Sequence, residues 1–174
     1  ARFDGVPVHA VDLLADLAIL GPLQGLPATP PLVSGDALEQ GDKVFLVGYP
    51  GETQRETPDV TISQGIVARL RTADPFGLRY VQTDAAIGGG QSAGALVDEH
   101  GRIVGVSGLS FAEKFALALR GDDVATALDA LRAGKGSPYR PIADSGGVTD
   151  ASVRIADPVH DLGFAIVRDA KPGT

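Results

Sequence analysis

A glycine-rich loop that contains one serine constrains this chain more than any other feature of its sequence. Three consecutive glycines at positions 88–90 are followed by Gln91, Ser92, Ala93 and Gly94, and then by an apolar run that predicts a buried strand. Glycine adopts backbone conformations that residues with a Cβ avoid, and successive N–H groups in such a loop can converge on a developing negative charge. The loop therefore fits either a serine nucleophile or a glycine hairpin whose serine bonds only its own backbone.

The composition limits the partners of the chain. Its 174 residues suffice for one substantial domain, and a formal net charge of −7 without a Lys/Arg cluster argues against nucleic acid or an anionic membrane surface as the main partner. The sequence has no cysteine, and its three histidines have no ligand-like spacing. No apolar run is long enough to span a bilayer. We therefore expect no metal, no cofactor and no membrane span.

Short strand patterns separated by turn residues predict an all-β fold. They lie at 43–49, 60–70, 79–83, 95–98, 102–106 and 115–119, and Gly65 within the second pattern predicts a bulge or bend. A helix should follow, with Asp122 as its N-cap and Gly134 as the glycine that ends it. Six strands with short connections and one final helix predict a closed antiparallel barrel with a helical tail.

Both ends of the chain carry further short patterns. Residues 1–20 contain an alternating stretch and an apolar run at 17–20, and Asp16 before that run is either a turn residue or a functional acid. A Gly/Pro-rich connector is predicted at 21–40, and the barrel with its helix at 41–134. Residues 135–174 predict a linker and a short β segment of unknown role, because the patterns at 153–156 and 164–167 are too few to build a core.

The order of these pieces resembles the trypsin-like serine proteases, specifically the HtrA (Deg-type) branch. Residues 16–20 look like that family's catalytic-aspartate segment, residues 63–67 are similar to its S-x-G-I-V strand, and residues 83–97 resemble its nucleophile loop. The resemblance implies that residues 1–20 are a remnant of the first barrel. It also implies that residues 41–134 form the second, six-stranded barrel and its C-terminal helix.

The resemblance also implies a catalytic site. Ser92 would be the nucleophile, Asp16 would orient a histidine base, and the N–H groups of Gly90 and Ser92 would form the oxyanion hole. The segment of Gly105, Val106 and Ser107 would pair with an extended substrate through main-chain bonds. An apolar pocket for small aliphatic side chains would be shaped by Ile87 and Leu109.

The sequence departs from the family pattern around the serine and at the base. Gln91 and Ala93 replace the Asn and Gly that usually flank the serine, and Ala93 would distort the loop if its φ is positive. No histidine matches the position of the family's base. His9 lies too close to Asp16 in sequence, and the other two lie at a hairpin tip (His100) and in the tail (His160).

Two functions fit these features. The first is an HtrA-like serine endopeptidase that cleaves unfolded or extended polypeptides, here as an incomplete chain without the catalytic histidine and so with little or no activity of its own. The alternative is a non-catalytic pseudo-protease that acts as a peptide-binding or scaffold module. Phosphate binding by the glycines fails because neither a lysine nor a helix follows the loop. The resemblance alone implies an extracytoplasmic location, periplasmic or secreted, and an oligomer has no support in the sequence.

Overall fold

In the residues that the structure describes, the regular structure consists of ten β-strands, one α-helix and one 3₁₀ turn. The structure is a computed structural model and describes residues 2–12, 15–49, 60–73, 77–111, 115–134, 148–154 and 166–172. The chain divides into two units, one of them Pro30–Ala125 and the other formed by Ala1–Thr29 together with Thr126–Thr174.

Six antiparallel strands close into a barrel in the first of these units. Their order around the barrel is β3-β4-β5-β8-β7-β6, so that β3 pairs with both β4 and β6. This confirms the predicted all-β fold with a six-stranded antiparallel barrel. The strands are β3 (Lys43–Gly48), β4 (Thr61–Ala73), β5 (Leu78–Thr83), β6 (Ala95–Asp98), β7 (Ile103–Phe111) and β8 (Phe115–Arg120).

The barrel closes around a core of inward-facing aliphatic side chains. Successive residues of a strand point to opposite faces, so alternate positions supply the interior. A small barrel has room for few large side chains, and β8 contributes two alanines where the opposite strands contribute larger residues. The core consists of Leu38, Val44, Leu46, Val67, Val81, Ala85, Leu96, Val104, Ala116 and Ala118.

The strand boundaries and one irregularity differ from the predictions. The register shift in β4 lies between Val67 and Arg69, whereas Gly65 pairs regularly with Val44. Gly65 serves a close approach instead, because a Cβ there would collide with the backbone of Ala85. Strand β7 also extends five residues beyond the predicted end at Val106, to Phe111.

Helix α1 (Gly121–Arg132) follows β8 directly. It begins one residue before the predicted N-cap, so Asp122 lies in its first turn, where a carboxylate still favours the positive end of the helix dipole. Gly134 has φ +65° and ends the helix as predicted. Within the described ranges, no helix has the length and apolar character needed to cross a bilayer.

An ion pair ties the start of α1 to the barrel. The guanidinium of Arg79 on β5 donates to Asp123 at 2.7 Å, and the main-chain N–H of Arg79 donates to the same carboxylate at 2.6 Å. The hydrogen bond to Asp123 raises the pKa of Arg79 above its ordinary value. A second arginine, Arg120, contacts Asp36 and Asp122 nearby.

The other unit contains a four-stranded antiparallel sheet in the order β10-β9-β1-β2. Strand β1 (Arg2–Asp12) pairs with β2 (Leu17–Leu20) on one side and with β9 (Val148–Arg154) on the other, and β10 (Ile166–Pro172) pairs with β9. The tail strands, to which the sequence assigned no role, thus extend the sheet that the first strands begin. The predicted domain boundaries stay predictions.

The hairpin between β6 and β7 is held by the buried carboxylate of Asp98, which is 6% exposed. The Asp98 carboxylate accepts the main-chain N–H groups of His100 and Arg102, each at 2.9 Å, and the Nε of Arg102 at 2.7 Å. Burial raises the pKa of Asp98, but the bonds from Arg102 and His100 outweigh it, so that the pKa lies below its ordinary value.

We expect the substitution Asp98→Asn to lower the free energy of unfolding at neutral pH by about 1–2 kcal/mol, because charge-assisted hydrogen bonds are lost. The folded-state pKa is depressed, so this stabilisation is present above about pH 4 and disappears as the pH falls through the folded-state pKa. Urea denaturation of both proteins between neutral pH and about pH 2.5 measures the difference.

The matched control is Glu99→Gln, which removes an exposed carboxylate from the same turn. It should change the free energy of unfolding by less than about 0.5 kcal/mol at any pH in this range. A stability difference between wild type and Asp98→Asn that stays constant with pH would contradict the assignment.

Candidate active site

In the loop between β5 and β6, Ser92 is exposed to solvent while residues on either side of it are buried. Ser92 is exposed, whereas Gln91 before it is 2% exposed and Gly94 after it is buried. Gly94 has to be glycine, because a Cβ there would lie 2.5 Å from the carbonyl oxygen of Val47 and 2.9 Å from that of Gln91. The segment between the two strands, residues 84–94 (the Ser92 loop), therefore packs directly on the end of β3.

Gln91 holds the three glycines in a turn. Its side-chain Oε1 accepts the N–H of Gly88 at 2.5 Å, and its own N–H donates to the carbonyl oxygen of Gly88 at 3.2 Å. The Gln91 Nε2 is buried and has no acceptor among the described residues. The side chain also lies against Gly48, at 3.4 Å from the position a Cβ would take there. The glutamine, which departs from the family pattern, thus stabilises the turn through its own side chain.

The two N–H groups predicted to form the oxyanion hole are available. Within the described part of the chain, neither the N–H of Gly90 nor that of Ser92 donates to a protein acceptor. Gly90 has φ +93°, a conformation that favours glycine. The Oγ of Ser92 also has no hydrogen-bond partner among these residues. A loop of this kind can bind a small anionic oxygen through its backbone.

Ala93 adopts the left-handed backbone conformation, which the sequence indicated as a source of distortion in the loop. Its φ is +66°, which costs a residue with a Cβ about 1–2 kcal/mol. The Ala93 N–H donates to the carbonyl oxygen of Ser107 at 2.6 Å, and the N–H of Ser107 donates to the carbonyl oxygen of Gly94 at 2.8 Å. These bonds hold the alanine in its strained conformation.

The predicted substrate-binding residues have different surroundings. Gly105 and Val106 have a strand on each side, because β7 pairs there with both β6 and β8. Leu109 lies opposite Leu117 of β8, beyond the last residue pair of β6, and only its main chain is described. Ile87 is half-buried and packs against the core.

Ser107, on β7, makes its hydrogen bonds to the Ser92 loop. It is 1% exposed, and its Oγ donates to the carbonyl oxygen of Gln91 at 2.6 Å, in addition to its two main-chain bonds. Sequence reasoning placed this residue next to a substrate and missed its contact with Gln91. The available signal was a serine on the inward side of an apolar strand, since a buried hydroxyl needs a hydrogen-bond partner.

Asp16 lies in the turn between β1 and β2, in the other unit. It is exposed and has φ +55°, a conformation that aspartate tolerates better than most residues. Next to it, the Ala15 N–H donates to the Oδ1 of Asp12 at 3.1 Å. Asp16 and Ser92 belong to different units of the chain.

Two of the three histidines lie in the described ranges. His9 is exposed on β1, and its Nε2 lies 3.3 Å from the position a Cβ would take on Gly21. The side chain of His100 is 68% exposed at the β6–β7 turn, with its Nδ1 3.9 Å from the Oδ2 of Asp98. His160 lies outside the described residues. The residues that the structure describes contain no cluster of three or more His, Asp or Glu side chains that could hold a metal ion.

Comparison with known proteins identifies related sequences. The profile of the trypsin-like peptidase domain family matches residues 1–106. The mitochondrial serine protease HTRA2 of Bos taurus is 40% identical over 119 residues, which are 60% of this chain and 25% of that protein. The serine protease Do-like HtrA of Lactobacillus helveticus is 31% identical over 144 residues, 75% of this chain and 34% of that protein. The chain thus spans between a quarter and about a third of the length of these two relatives.

Solved structures show a similar fold. A serine endoprotease from Yersinia pestis has a TM-score of 0.60 and 29% sequence identity, and the match covers 75% of this chain and 46% of that one. An HtrA-type protease solved with a tripeptide has a TM-score of 0.62 over 72% of this chain and 43% of that one. Its sequence identity is 24%, so this second likeness concerns the fold alone.

We expect Ala93→Gly to raise the free energy of unfolding by about 0.5–1 kcal/mol. Glycine removes the cost of the positive φ, and this gain exceeds the entropy that it adds to the unfolded chain. Ala86→Gly is the matched control, since Ala86 is exposed in the same loop without a positive φ, and it should lower the free energy by about 0.4–1 kcal/mol. Equal changes in both variants, measured by chemical denaturation, would show that Ala93 carries no strain.

Proposed function

Since this chain belongs to the trypsin-like peptidase domain family, in its HtrA-type branch, we propose that the protein carrying it is a serine endopeptidase. The proposal rests on the geometry of the loop around Ser92, whose side chain is exposed. Among the residues that the structure describes, the N–H groups of Gly90 and Ser92 donate to no protein acceptor. The substrates are unfolded or extended polypeptides, which the enzyme cleaves through an acyl-enzyme.

Ser92 is the proposed nucleophile. Its hydroxyl attacks the scissile carbonyl carbon once a base takes its proton, and the carbonyl oxygen becomes an oxyanion. The N–H groups of Gly90 and Ser92 donate to that oxyanion, and one such donor is typically worth about 3 kcal/mol in the transition state. The amine product leaves, and water then hydrolyses the acyl group from Ser92.

Asp16 is the proposed acid that orients the base and stabilises its charged form. The base is a histidine, and we place it outside the three histidines of this sequence because none matches the family's position. The 174-residue chain by itself is then expected to have little or no peptidase activity. The upstream coding sequence should encode a histidine just after a strand, and a parent protein without one would remove the enzyme proposal.

The substrate is proposed to bind as an added strand along β7. The stretch that includes Gly105 and Val106 is flanked by β6 and β8, so the edge open to a substrate lies beyond it, around Leu109. Main-chain bonds at such an edge bind an extended peptide without demanding a particular sequence. Ile87 and Leu109 then shape an apolar pocket that prefers small aliphatic side chains.

A non-catalytic function is the second candidate. The strained Ala93 beside Ser92, and the absence of a matched histidine in the sequence, both favour it. Such a protein would use the same β7 edge to bind peptides or to serve as a scaffold. It would bind an extended peptide but would form no covalent adduct at Ser92.

We also propose a partner and a cellular location for the protein. The partner is a polypeptide, and the net charge of −7 disfavours nucleic acid. An extracytoplasmic location, periplasmic or secreted, is a proposal that rests on the resemblance.

A fluorophosphonate probe tests the proposal. In the natural protein that carries this chain, the probe should label Ser92, and Ser92→Ala should abolish the labelling, because only an activated serine hydroxyl forms the adduct. Ser34→Ala is the control, since Ser34 is an exposed serine that caps the 3₁₀ turn Gly35–Ala37 and should be dispensable for labelling. Gel fluorescence and peptide mapping measure the result.

Three results are informative. Labelling that survives Ser92→Ala would show that the nucleophile is another residue. No labelling of the wild type, together with binding of an extended peptide, would support the non-catalytic module. Loss of labelling in Ser92→Ala alone would support the endopeptidase.

A further inference from the structure

We propose that Ser107 is a positioning residue that orients the Gln91–Ser92 peptide group and thereby aims the Ser92 N–H at the reacting oxygen. The proposal deepens the function proposed for the Ser92 loop and rests on it. Ser107 makes three hydrogen bonds to that loop. Its Oγ donates to the carbonyl oxygen of Gln91 at 2.6 Å, its carbonyl oxygen accepts the Ala93 N–H at 2.6 Å, and its N–H donates to the Gly94 carbonyl oxygen at 2.8 Å.

Because the peptide group is planar, the hydrogen bond from Ser107 to the Gln91 carbonyl also sets the direction of the Ser92 N–H. In a trans peptide, the C=O and the N–H of the same group point in opposite directions. The Gln91 carbonyl accepts from both the Ser107 hydroxyl and the Gly94 N–H, the latter at 3.1 Å. The Ser92 N–H is therefore directed away from β7, and it meets no acceptor within the described part of the chain.

The burial of Ser107 makes its hydroxyl a specific part of the loop. Ser107 is 1% exposed and pairs with Ala118, a core residue, so its side chain lies on the inward side of the barrel. A hydroxyl in that environment needs a partner, and the Gln91 carbonyl supplies it. Because every polar group of Ser107 is used inside the loop, its effect on a substrate is exerted through Ser92.

Removal of the Ser107 hydroxyl should leave the fold of the loop intact. When the Ser107 side chain is shortened, the two main-chain bonds to Ala93 and Gly94 remain, as does the bond between the Gln91 side chain and the Gly88 N–H. The loop then stays attached to β7, while the Gln91 carbonyl keeps only the longer bond from the Gly94 N–H, at 3.1 Å, and the Gln91–Ser92 peptide is held less firmly. The expected defect is in the orientation of one N–H group.

The activity test uses Ser107→Ala in the natural protein, with Ser107→Thr as the rescue because threonine keeps the hydroxyl. Loss of one oxyanion donor costs about 10²–10³-fold, so misorientation should lower kcat by about 10–100-fold, while KM stays within about twofold. Ser107→Thr should recover kcat to within about threefold. Ser63→Ala is the matched control, since it also removes a serine hydroxyl that donates to a main-chain carbonyl, that of Ala86 at 2.5 Å, and it should leave kcat unchanged.

A pair of inhibitors distinguishes a misoriented Ser92 N–H from a general loss of peptide binding. A peptide aldehyde forms a hemiacetal oxyanion with Ser92, whereas the corresponding peptide alcohol does not. Ser107→Ala should weaken the aldehyde in parallel with kcat and leave the alcohol within about twofold. If Ser107→Ala does not fold, Ser107→Cys keeps the side-chain size with a weak donor and should behave in the same way.

A measurement that needs no activity uses the fact that Gln91–Ser92 is the only Gln-Ser pair in the sequence. Labelling glutamine carbonyls with ¹³C and serine nitrogens with ¹⁵N gives a single peptide signal by NMR. Ser107→Ala should shift that signal, Ser107→Thr should restore it, and Ser63→Ala should leave it in place.

The outcomes are distinct. If the NMR signal shifts in Ser107→Ala but the fluorophosphonate never labels Ser92 in the wild type, the proposed function is wrong and the positioning role is supported. An unmoved signal, or a kcat within about twofold of wild type in Ser107→Ala, would overturn the positioning role. So would equal weakening of the aldehyde and the alcohol, or a Ser107→Thr variant that restores nothing.

Discussion

The double pairing of β3 is the constraint on which the barrel and its loop depend. Pairing with β4 on one side and β6 on the other closes the barrel, and it buries Val44 and Leu46 in the core. The end of the same strand lies under the Ser92 loop, because Gly94 lies against the carbonyl oxygen of Val47 and Gln91 lies against Gly48. The position of the loop is therefore set by the hydrophobic closure of the barrel.

The Ser92 loop is a polar structure next to an apolar barrel, and local hydrogen bonds offset its backbone strain. Ala93 carries a positive φ that costs about 1–2 kcal/mol. Its N–H bond to Ser107, and the bond from Ser107 back to Gly94, are of the kind that contributes about 0.5–1.5 kcal/mol each. The two terms are similar in size, so alanine is tolerated where glycine would be unstrained. The buried Gln91 side chain adds a further bond from the other end of the turn.

The sequence predicted the parts of this structure that depend on local patterns. Apolar alternation located the six barrel strands, because one face of each strand is buried, and Gly134 marked the end of the helix. Features that depend on distant contacts were missed. The bond between Ser107 and Gln91 joins residues 16 apart on different elements, and the pairing of β9 with β1 joins the two ends of the chain. Gly65 suggested a bulge, but its role is a close approach to Ala85, which no pattern within β4 encodes. For the candidate site, the sequence marked Ser92 through its glycines, whereas the catalytic role of Asp16 came from resemblance alone.

Strand register connects the core of the barrel to the chemistry of the loop. The inward side of β7 is specified by its pairing, with Ser107 opposite the core residue Ala118 and Val106 opposite Leu119. A slip of one residue exchanges the two faces of a strand, which would bring Val106 or Gly108 to the position of Ser107. Neither has a hydroxyl, so the Gln91 carbonyl would lose the shorter of its two hydrogen bonds. The apolar core thus selects the register in which Ser107 bonds to Gln91, so the proposed orientation of the Ser92 N–H depends on the same pairing that stabilises the barrel.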